Sequence, residues 1–101
     1  MTNGSEPHKV LHERLIACVH GRVQGVWFRG TCCEQARRLG VSGWIRNRHD
    51  GRVEAVFEGR ESDVRRMLSW CHRGPRMAQV GEVKVEWGEP AGQPDGFSVR
   101  Y

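Results

Sequence analysis

The sequence lacks the long apolar runs of membrane proteins. No run approaches the ~18 to 20 residues that a membrane-spanning helix needs, and the polar start from Met1 to Lys9 lacks the apolar segment of a signal peptide. A length of 101 residues suffices for one small hydrophobic core and not for two. We therefore expect a single soluble domain that resides in the cytoplasm and has no membrane partner.

Cysteine is also scarce, and its spacing excludes the usual metal and disulfide patterns. The four cysteines are Cys18, Cys32, Cys33 and Cys71, and no Cys-x-x-C occurs. They are too few for a disulfide scaffold in a chain of this length, so we expect reduced thiols. The adjacent pair points to opposite sides of any regular element, which predicts one buried and one partly exposed helix residue and no metal site.

Lysine is nearly absent from a basic chain. Lys9 and Lys84 are the only lysines among 16 basic residues, and the net charge is +4, so arginine supplies almost all of the positive charge. Arginine presents a planar fork of donors that matches phosphate and carboxylate groups. The composition is thus compatible with anionic ligands, but by itself it selects no function.

The first part of the chain predicts a leader, a strand and a helix. Residues 1–12 are polar and aperiodic, which predicts a flexible leader before a domain over residues 13–101. The short apolar run 15–19 is typical of a central strand. Apolar residues then recur at intervals of four, four and three from Phe28 to Leu39, which predicts a helix that ends at Gly40.

The second part predicts a hairpin, a helix and two more strands. Asp50-Gly51 lies between residues 41–48 and 52–58 and suits a tight turn with positive φ angles. Along residues 53–58, Val53, Ala55 and Phe57 alternate with mostly polar residues, which predicts one apolar and one mostly solvated sheet face. The remaining elements are a helix with a buried stripe of Val64, Met67, Leu68 and Cys71, a strand over 83–87 and a short edge strand over 97–101.

This order of elements predicts an α+β fold. Strand, helix, strand, strand, helix and strand form a split β-α-β unit, the ferredoxin-like sandwich with two helices on one face of an antiparallel sheet. Many unrelated activities use this fold, so function must be argued from a site.

The segment between the first strand and the first helix is a candidate anion site. Gly21 and Gly25 allow a tight loop whose N–H groups turn inward, and the helix that follows adds the positive end of its dipole. Arg29, in the first turn of that helix, could add a bidentate contact. The segment is neither a Walker loop nor a dinucleotide fingerprint, which argues against nucleotide use.

A second segment, residues 43–53, completes a resemblance to the acylphosphatase family. The first family motif reads Gly-x-Val-Gln-Gly-Val-x-Phe-Arg, and residues 21–29 match it. The second motif places an Asn after Gly-aromatic-apolar-basic and before x-x-x-Gly-x-Val. Its only departure here is Ile45, where the family more often has Val, Ala or Cys. The likeness extends from about Leu15 to the terminal Ser98-Val99-Arg100-Tyr101.

The resemblance implies hydrolysis of a small carboxylic-phosphoric mixed anhydride, with inorganic phosphate as product and competitor and with no metal or organic cofactor. By position, Arg29 matches the phosphate-binding arginine of the family, and Asn47 matches the asparagine that holds the attacking water. The phosphate-binding loop corresponds to the backbone of Arg22, Val23, Gln24, Gly25 and Val26. We expect a monomer.

Two alternatives remain open at this point. One is a phosphate-binding or regulatory module that keeps the loop without turnover. The other is a nucleic-acid-binding domain of the same topology, whose central strand would need several aromatics; residues 52–58 offer only Phe57, together with glutamates. We therefore expect no specific nucleic-acid partner. His20 and His49 flank the motifs, but they have no companion carboxylate at a recognisable spacing, so strand-end and turn roles are predicted for them.

Overall fold

The computed structural model describes residues 11–101, so nearly all of the predicted leader lies outside the described residues. The elements in chain order are β1 (His12–Arg22), α1 (Phe28–Leu39), β2 (Ser42–Asn47), β3 (Val53–Arg60), α2 (Glu61–Arg73), β4 (Gln79–Gly88) and β5 (Phe97–Arg100). The predicted leader includes His12, but this residue pairs with Arg60 and so belongs to β1. Among the described residues, no helix is long and apolar enough to cross a membrane.

The predicted ferredoxin-like α+β sandwich is confirmed, with one correction to the sheet. The strand order is β4-β1-β3-β2-β5, and β1, β2, β3 and β4 pair antiparallel. β5 instead pairs parallel with β2, so the sheet is mixed. β4 ends at Gly88, opposite Arg14 near the start of β1, and the eight residues 89–96 form a crossing that connects it to β5 at the other edge of the sheet. The chain therefore enters β5 at the end where β2 also begins.

The core lies between the sheet and the two helices. Leu15, Ala17 and Val19 of β1 alternate inward, as do Val53, Ala55 and Phe57 of β3. Two details differ from the prediction. Cys33 is buried as well as Cys32, and Trp70 replaces Leu68 in the buried stripe of α2. α1 contacts β2, β5 and α2, so it has a wider buried face than a single stripe provides.

The outer face of β3 is less solvated than the alternation predicted. Val56 and Glu58 are both only 6% exposed. The Glu58 carboxylate accepts hydrogen bonds from the backbone N–H groups of Ala91, at 2.8 Å, and Gln93, at 3.1 Å. The 89–96 crossing thus covers this part of the sheet and compensates the burial of a charge.

The β2–β3 turn is built differently from the predicted tight turn. Gly51 has a φ of 92°, but Asp50 does not have a positive φ. Arg48 N–H donates to the Arg52 carbonyl at 2.8 Å, and the Asp50 carboxylate accepts from the Arg52 backbone N–H at 3.1 Å. Hydrogen bonds from the Arg52 side chain, and then from Arg48, hold the pKa of the Asp50 carboxyl below its usual range. Asp50 thus stabilises the turn through its side chain.

Candidate active site

A pocket of about 410 Å³ opens at the end of the sheet where β1 and β2 end and α1 begins. Its lining residues are Val23, Gly25, Trp27, Phe28, Arg29, Gly30, Asn47, Val99 and Tyr101. An adjoining pocket of about 360 Å³ shares Arg29, Asn47 and Tyr101 and is completed by Gln24, Arg48, His49 and Arg100. The two residues expected to act on substrate, Arg29 and Asn47, therefore share one pocket.

The loop between β1 and α1 presents unpaired backbone donors. β1 is irregular between His20 and Gly21, and Gly21 has a φ of 129°. A Cβ at Gly21 would lie 2.2 Å from the Gln79 carbonyl oxygen, so only glycine fits there. Within residues 11–101, no backbone N–H from Val23 to Trp27 donates to a backbone carbonyl. These groups, together with the first-turn amides of α1, can receive an anion.

Only some of the five residues predicted to form the phosphate-binding loop line either of the two pockets. Val23 and Gly25 line the larger pocket, and Gln24 lines the adjoining one. Arg22 is exposed and lines neither of these pockets, while Val26 is buried in the core. Val23 is also nearly fully buried, so its side chain anchors the loop in the core.

Gln24 has a side-chain role that the sequence did not reveal. Its Nε2 donates to the carbonyl oxygens of Arg48, at 2.7 Å, and Arg52, at 2.9 Å. The loop is thereby tied to the β2–β3 turn, which follows directly after Asn47. The only sequence signal was a polar amide among glycines and valines, which needs a partner when it is partly buried.

Arg29 is held by an aromatic ring. Its guanidinium carbon lies 5.1 Å from the centre of the Tyr101 ring, within the range of a cation–π contact. In the described part of the chain, no carboxylate forms an ion pair with Arg29. Its positive charge and most of its donors are thus available to an anion in the pocket.

Asn47 ends β2 on the sheet face that also carries the buried Ile45, opposite Val53 of β3. Its Oδ1 is buried and has no hydrogen-bond partner. A buried acceptor without a donor costs about 1 to 3 kcal/mol. An amide oxygen left in this state at a pocket wall is well suited to accept a hydrogen bond from a bound molecule.

Of the residues that the structure describes, no histidine or cysteine lines the larger pocket, although His49 lines the adjoining one. His20 lies within β1, and His49 lies in the β2–β3 turn; neither lines the larger pocket. Burial raises the pKa of the Cys71 thiol to about 12 and that of Cys32 well above its ordinary value. Among residues 11–101, no three His, Cys, Asp or Glu side chains are grouped as metal ligands.

Comparison with known proteins gives a consistent result. The family model described as acylphosphatase matches residues 15–99. An acylphosphatase of Roseiflexus sp. (strain RS-1) is 56% identical over 86 residues, which cover 85% of this chain and 92% of that protein. An acylphosphatase of Haloarcula marismortui is 52% identical over 90 residues, covering 89% of this chain and 98% of its own.

Solved structures agree with the sequence relatives. The crystal structure of acylphosphatase from Bacillus subtilis superimposes with a TM-score of 0.84 at 32% identity, covering 88% of this chain and 99% of that one. The acylphosphatase from Coxiella burnetii gives a TM-score of 0.83 at the same identity, covering 88% and 93%. The match thus includes fold and sequence over nearly the whole described domain. The resemblance of the two motifs is confirmed, and the chain belongs to the acylphosphatase family.

Proposed function

We propose that this protein hydrolyses acyl phosphates to a carboxylate and inorganic phosphate by direct attack of water on phosphorus. The observation that carries the proposal is that Val23, Gly25 and Trp27 of the loop line the same pocket as Arg29 and Asn47. Relatives that share about half of their residues with this chain are acylphosphatases. The protein is thus an enzyme of the hydrolase class.

The loop amides and Arg29 bind the phosphoryl group. The transition state of phosphoryl transfer spreads negative charge over the three equatorial oxygens. Fixed N–H donors and a guanidinium stabilise this charge, and each hydrogen bond to a charged oxygen contributes about 1.5 to 3 kcal/mol. Because the loop is anchored by Val23 and Gln24, the donors need little reorganisation when the substrate binds.

The leaving group needs no help from a protein acid. A carboxylate is the conjugate base of an acid with a pKa of about 4, so it departs without protonation. This chemistry is compatible with a pocket whose lining residues include no His, Asp, Glu or Cys.

Asn47 positions the attacking water. Its Oδ1 accepts a hydrogen bond from the water and orients it in line with the bond between phosphorus and the leaving oxygen. An amide cannot take the proton at neutral pH, so the proton passes to a nonbridging oxygen of the substrate's own phosphoryl group. The products are the carboxylate and protonated inorganic phosphate.

The proposal is tested by assaying purified protein with benzoyl phosphate, with and without a chelator. We expect turnover above the spontaneous rate, competitive inhibition by inorganic phosphate and no effect of the chelator. Binding of phosphate without turnover would instead identify the protein as a phosphate-binding module. Loss of activity on chelation would contradict the metal-independent mechanism.

We further propose that the enzyme acts as a cytoplasmic monomer without a specific nucleic-acid partner. The buried Cys32 and Cys71 are free thiols, as expected in a reducing compartment. Sedimentation at micromolar concentration should give the mass of one chain. Binding to single-stranded RNA should be weak and strongly dependent on salt, as for a non-specific basic surface.

A further inference from the structure

Trp27 combines two unfavourable features at the edge of the pocket. It has a φ of 64°, the only positive φ among non-glycine residues in the range 11–101. Its side chain is also 83% exposed, although it is one of the largest apolar groups in the chain. A bulky L residue adopts this conformation at a free-energy cost, and such strain is concentrated at functional sites. Packing in the core does not explain why a tryptophan occupies position 27, and within residues 11–101 its side chain forms no hydrogen bond that would explain it.

The backbone conformation places the indole beside the catalytic elements. Trp27 directly precedes α1 and lies two residues before Arg29. A Cβ added at Gly30 would be 4.0 Å from Cε3 of Trp27, so the ring lies close to the bare backbone of the first helical turn. The indole therefore forms part of the pocket wall although most of its surface is open to solvent.

The pocket has a polar part and an apolar part. The loop amides, Arg29 and Asn47 form the polar part, which the proposed function assigns to the phosphoryl group. Trp27, Val99 and Tyr101 supply aromatic and aliphatic surface in the same pocket. An acyl phosphate has the same two-part character, because its charged phosphoryl group is joined through oxygen to an acyl group that can be wholly apolar.

We propose that Trp27 is a specificity-determining residue that binds the acyl group and makes the enzyme selective for acyl phosphates with aromatic or extended apolar acyl groups. This inference rests on the proposed function. The indole face stacks against the acyl group, and Val99 and Tyr101 border the same space. Acetyl phosphate carries only a methyl group beyond its carbonyl and gains little from this surface. An aromatic acyl group removes apolar area from water on both sides of the contact.

The test compares kcat/KM for benzoyl phosphate and acetyl phosphate in the wild type, Trp27→Gly and Trp27→Phe. Glycine adopts a positive φ without strain, so Trp27→Gly removes the ring and leaves the loop conformation accessible. We expect Trp27→Gly to lower the benzoyl-to-acetyl ratio about tenfold, equivalent to about 1.4 kcal/mol. Trp27→Phe retains most of the ratio because it keeps an aromatic face. Both variants keep the backbone N–H at position 27, so the inhibition constant of inorganic phosphate changes much less than this ratio.

Val85→Ala is the matched control. Val85 is also an exposed apolar residue, but it lies on the edge strand β4, away from the pocket. Its substitution should leave the ratio unaltered. An unchanged ratio in Trp27→Gly, an equal loss with both substrates, or a similar change in Val85→Ala would overturn the inference while leaving the proposed function intact. A wild-type protein inactive on both substrates would contradict the proposed function itself and, with it, this inference.

Discussion

Arg29 and Asn47, which line the same pocket, differ in what their side chains offer to a ligand. Arg29 offers a charged planar fork, which the Tyr101 ring holds by a cation–π contact. Asn47 offers a neutral acceptor, Oδ1, which is buried and unpartnered. In the proposed mechanism, the first residue binds the phosphoryl group and the second binds water. Substitutions at the two positions should therefore have separable effects on binding and turnover.

Replacing Arg29 should impair both binding and turnover. We expect Arg29→Lys to lower kcat/KM about a hundredfold or more and to weaken inhibition by inorganic phosphate, because an ammonium is a point charge and cannot make two parallel hydrogen bonds. Arg29→Ala should be at least as damaging. Steady-state assays with phosphate as inhibitor measure both effects. Arg38→Lys, on the exposed surface of the same helix, is the control, and a comparable loss there would refute a specific role for Arg29.

Replacing Asn47 should impair turnover alone. We expect Asn47→Ala to reduce kcat by about two to three orders of magnitude while the inhibition constant of phosphate changes little, since the side chain contacts water and not the anion. The substitution also removes a buried acceptor that lacks a donor. The free energy of unfolding should consequently stay the same or rise, as urea denaturation would show. A parallel loss of phosphate binding would mean that Asn47 contacts the ligand directly.

At the scale of elements, the pocket depends on how the 23–27 loop is joined to the β2–β3 turn. Asn47 lies at least twenty residues after the loop in the chain. The Gln24 carboxamide connects them with hydrogen bonds to two carbonyl oxygens of the turn. The donor amides of the loop and the acceptor on Asn47 are thereby held in a common frame.

Weakening this connection should reduce activity without removing any group that touches substrate. Gln24→Ala loses both hydrogen bonds, so we expect the free energy of unfolding to fall by about 1 to 3 kcal/mol and kcat/KM to fall at least tenfold. Gln24→Glu should be worse, because at neutral pH a carboxylate would face two carbonyl oxygens with no donor to offer. Denaturation and steady-state kinetics measure the two effects. Wild-type kinetics in Gln24→Glu would rule out a positioning role.

The 89–96 crossing lies at the opposite end of the sheet and provides a contrasting case. The Glu58 carboxylate accepts two backbone hydrogen bonds from this crossing. We expect Glu58→Ala to lower the free energy of unfolding by about 2 to 4 kcal/mol, and Glu58→Gln to lower it by less because one acceptor oxygen remains. The kcat of the folded fraction should not change in either variant. A changed kcat in a variant that is fully folded under the assay conditions would show that this end of the sheet influences the pocket.

At the scale of the whole molecule, the buried Cys71 thiol makes the free energy of unfolding depend on pH. Cys71 is fully buried, and burial raises its pKa from 9.0 to about 12. A thiol whose pKa is higher in the folded state stabilises the fold below the unfolded pKa. This contribution is lost as pH rises from about 9 toward 12, because the unfolded chain then releases the proton first.

Alkaline titration of stability should reveal this linkage. Between pH 7 and pH 10, Cys71 alone should lower the free energy of unfolding by about 1.4 kcal/mol. The comparison is with Cys71→Ala, whose pH dependence should be shallower by that amount because the substitution removes only the contribution of this thiol. Urea denaturation at the two pH values measures the difference. Identical slopes in the two proteins would contradict a raised pKa for this thiol.

The sequence alone predicted the features that depend on local patterns. The apolar spacing from Phe28 and the glycine at position 40 indicated α1, and alternation indicated β3. Arg29 and Asn47 stood out because each lies in a contiguous motif. Periodicity, capping and turn chemistry act over a few residues, so they can be read without knowing what packs against each segment.

Only the tertiary structure decided how distant residues complete these elements. The parallel pairing of β5 with β2 brings Val99 and Tyr101 to the pocket from the far end of the chain. The burial of Glu58 and the contacts of Gln24 join residues 24 to 35 positions apart. Such contacts follow from the topology of the sheet and the path of the 89–96 crossing. The order of apolar and polar residues along the chain predicts neither of these. The motifs thus predicted Arg29 and Asn47 as site residues, and the folded sheet determined the pocket that they share and the surfaces that surround them.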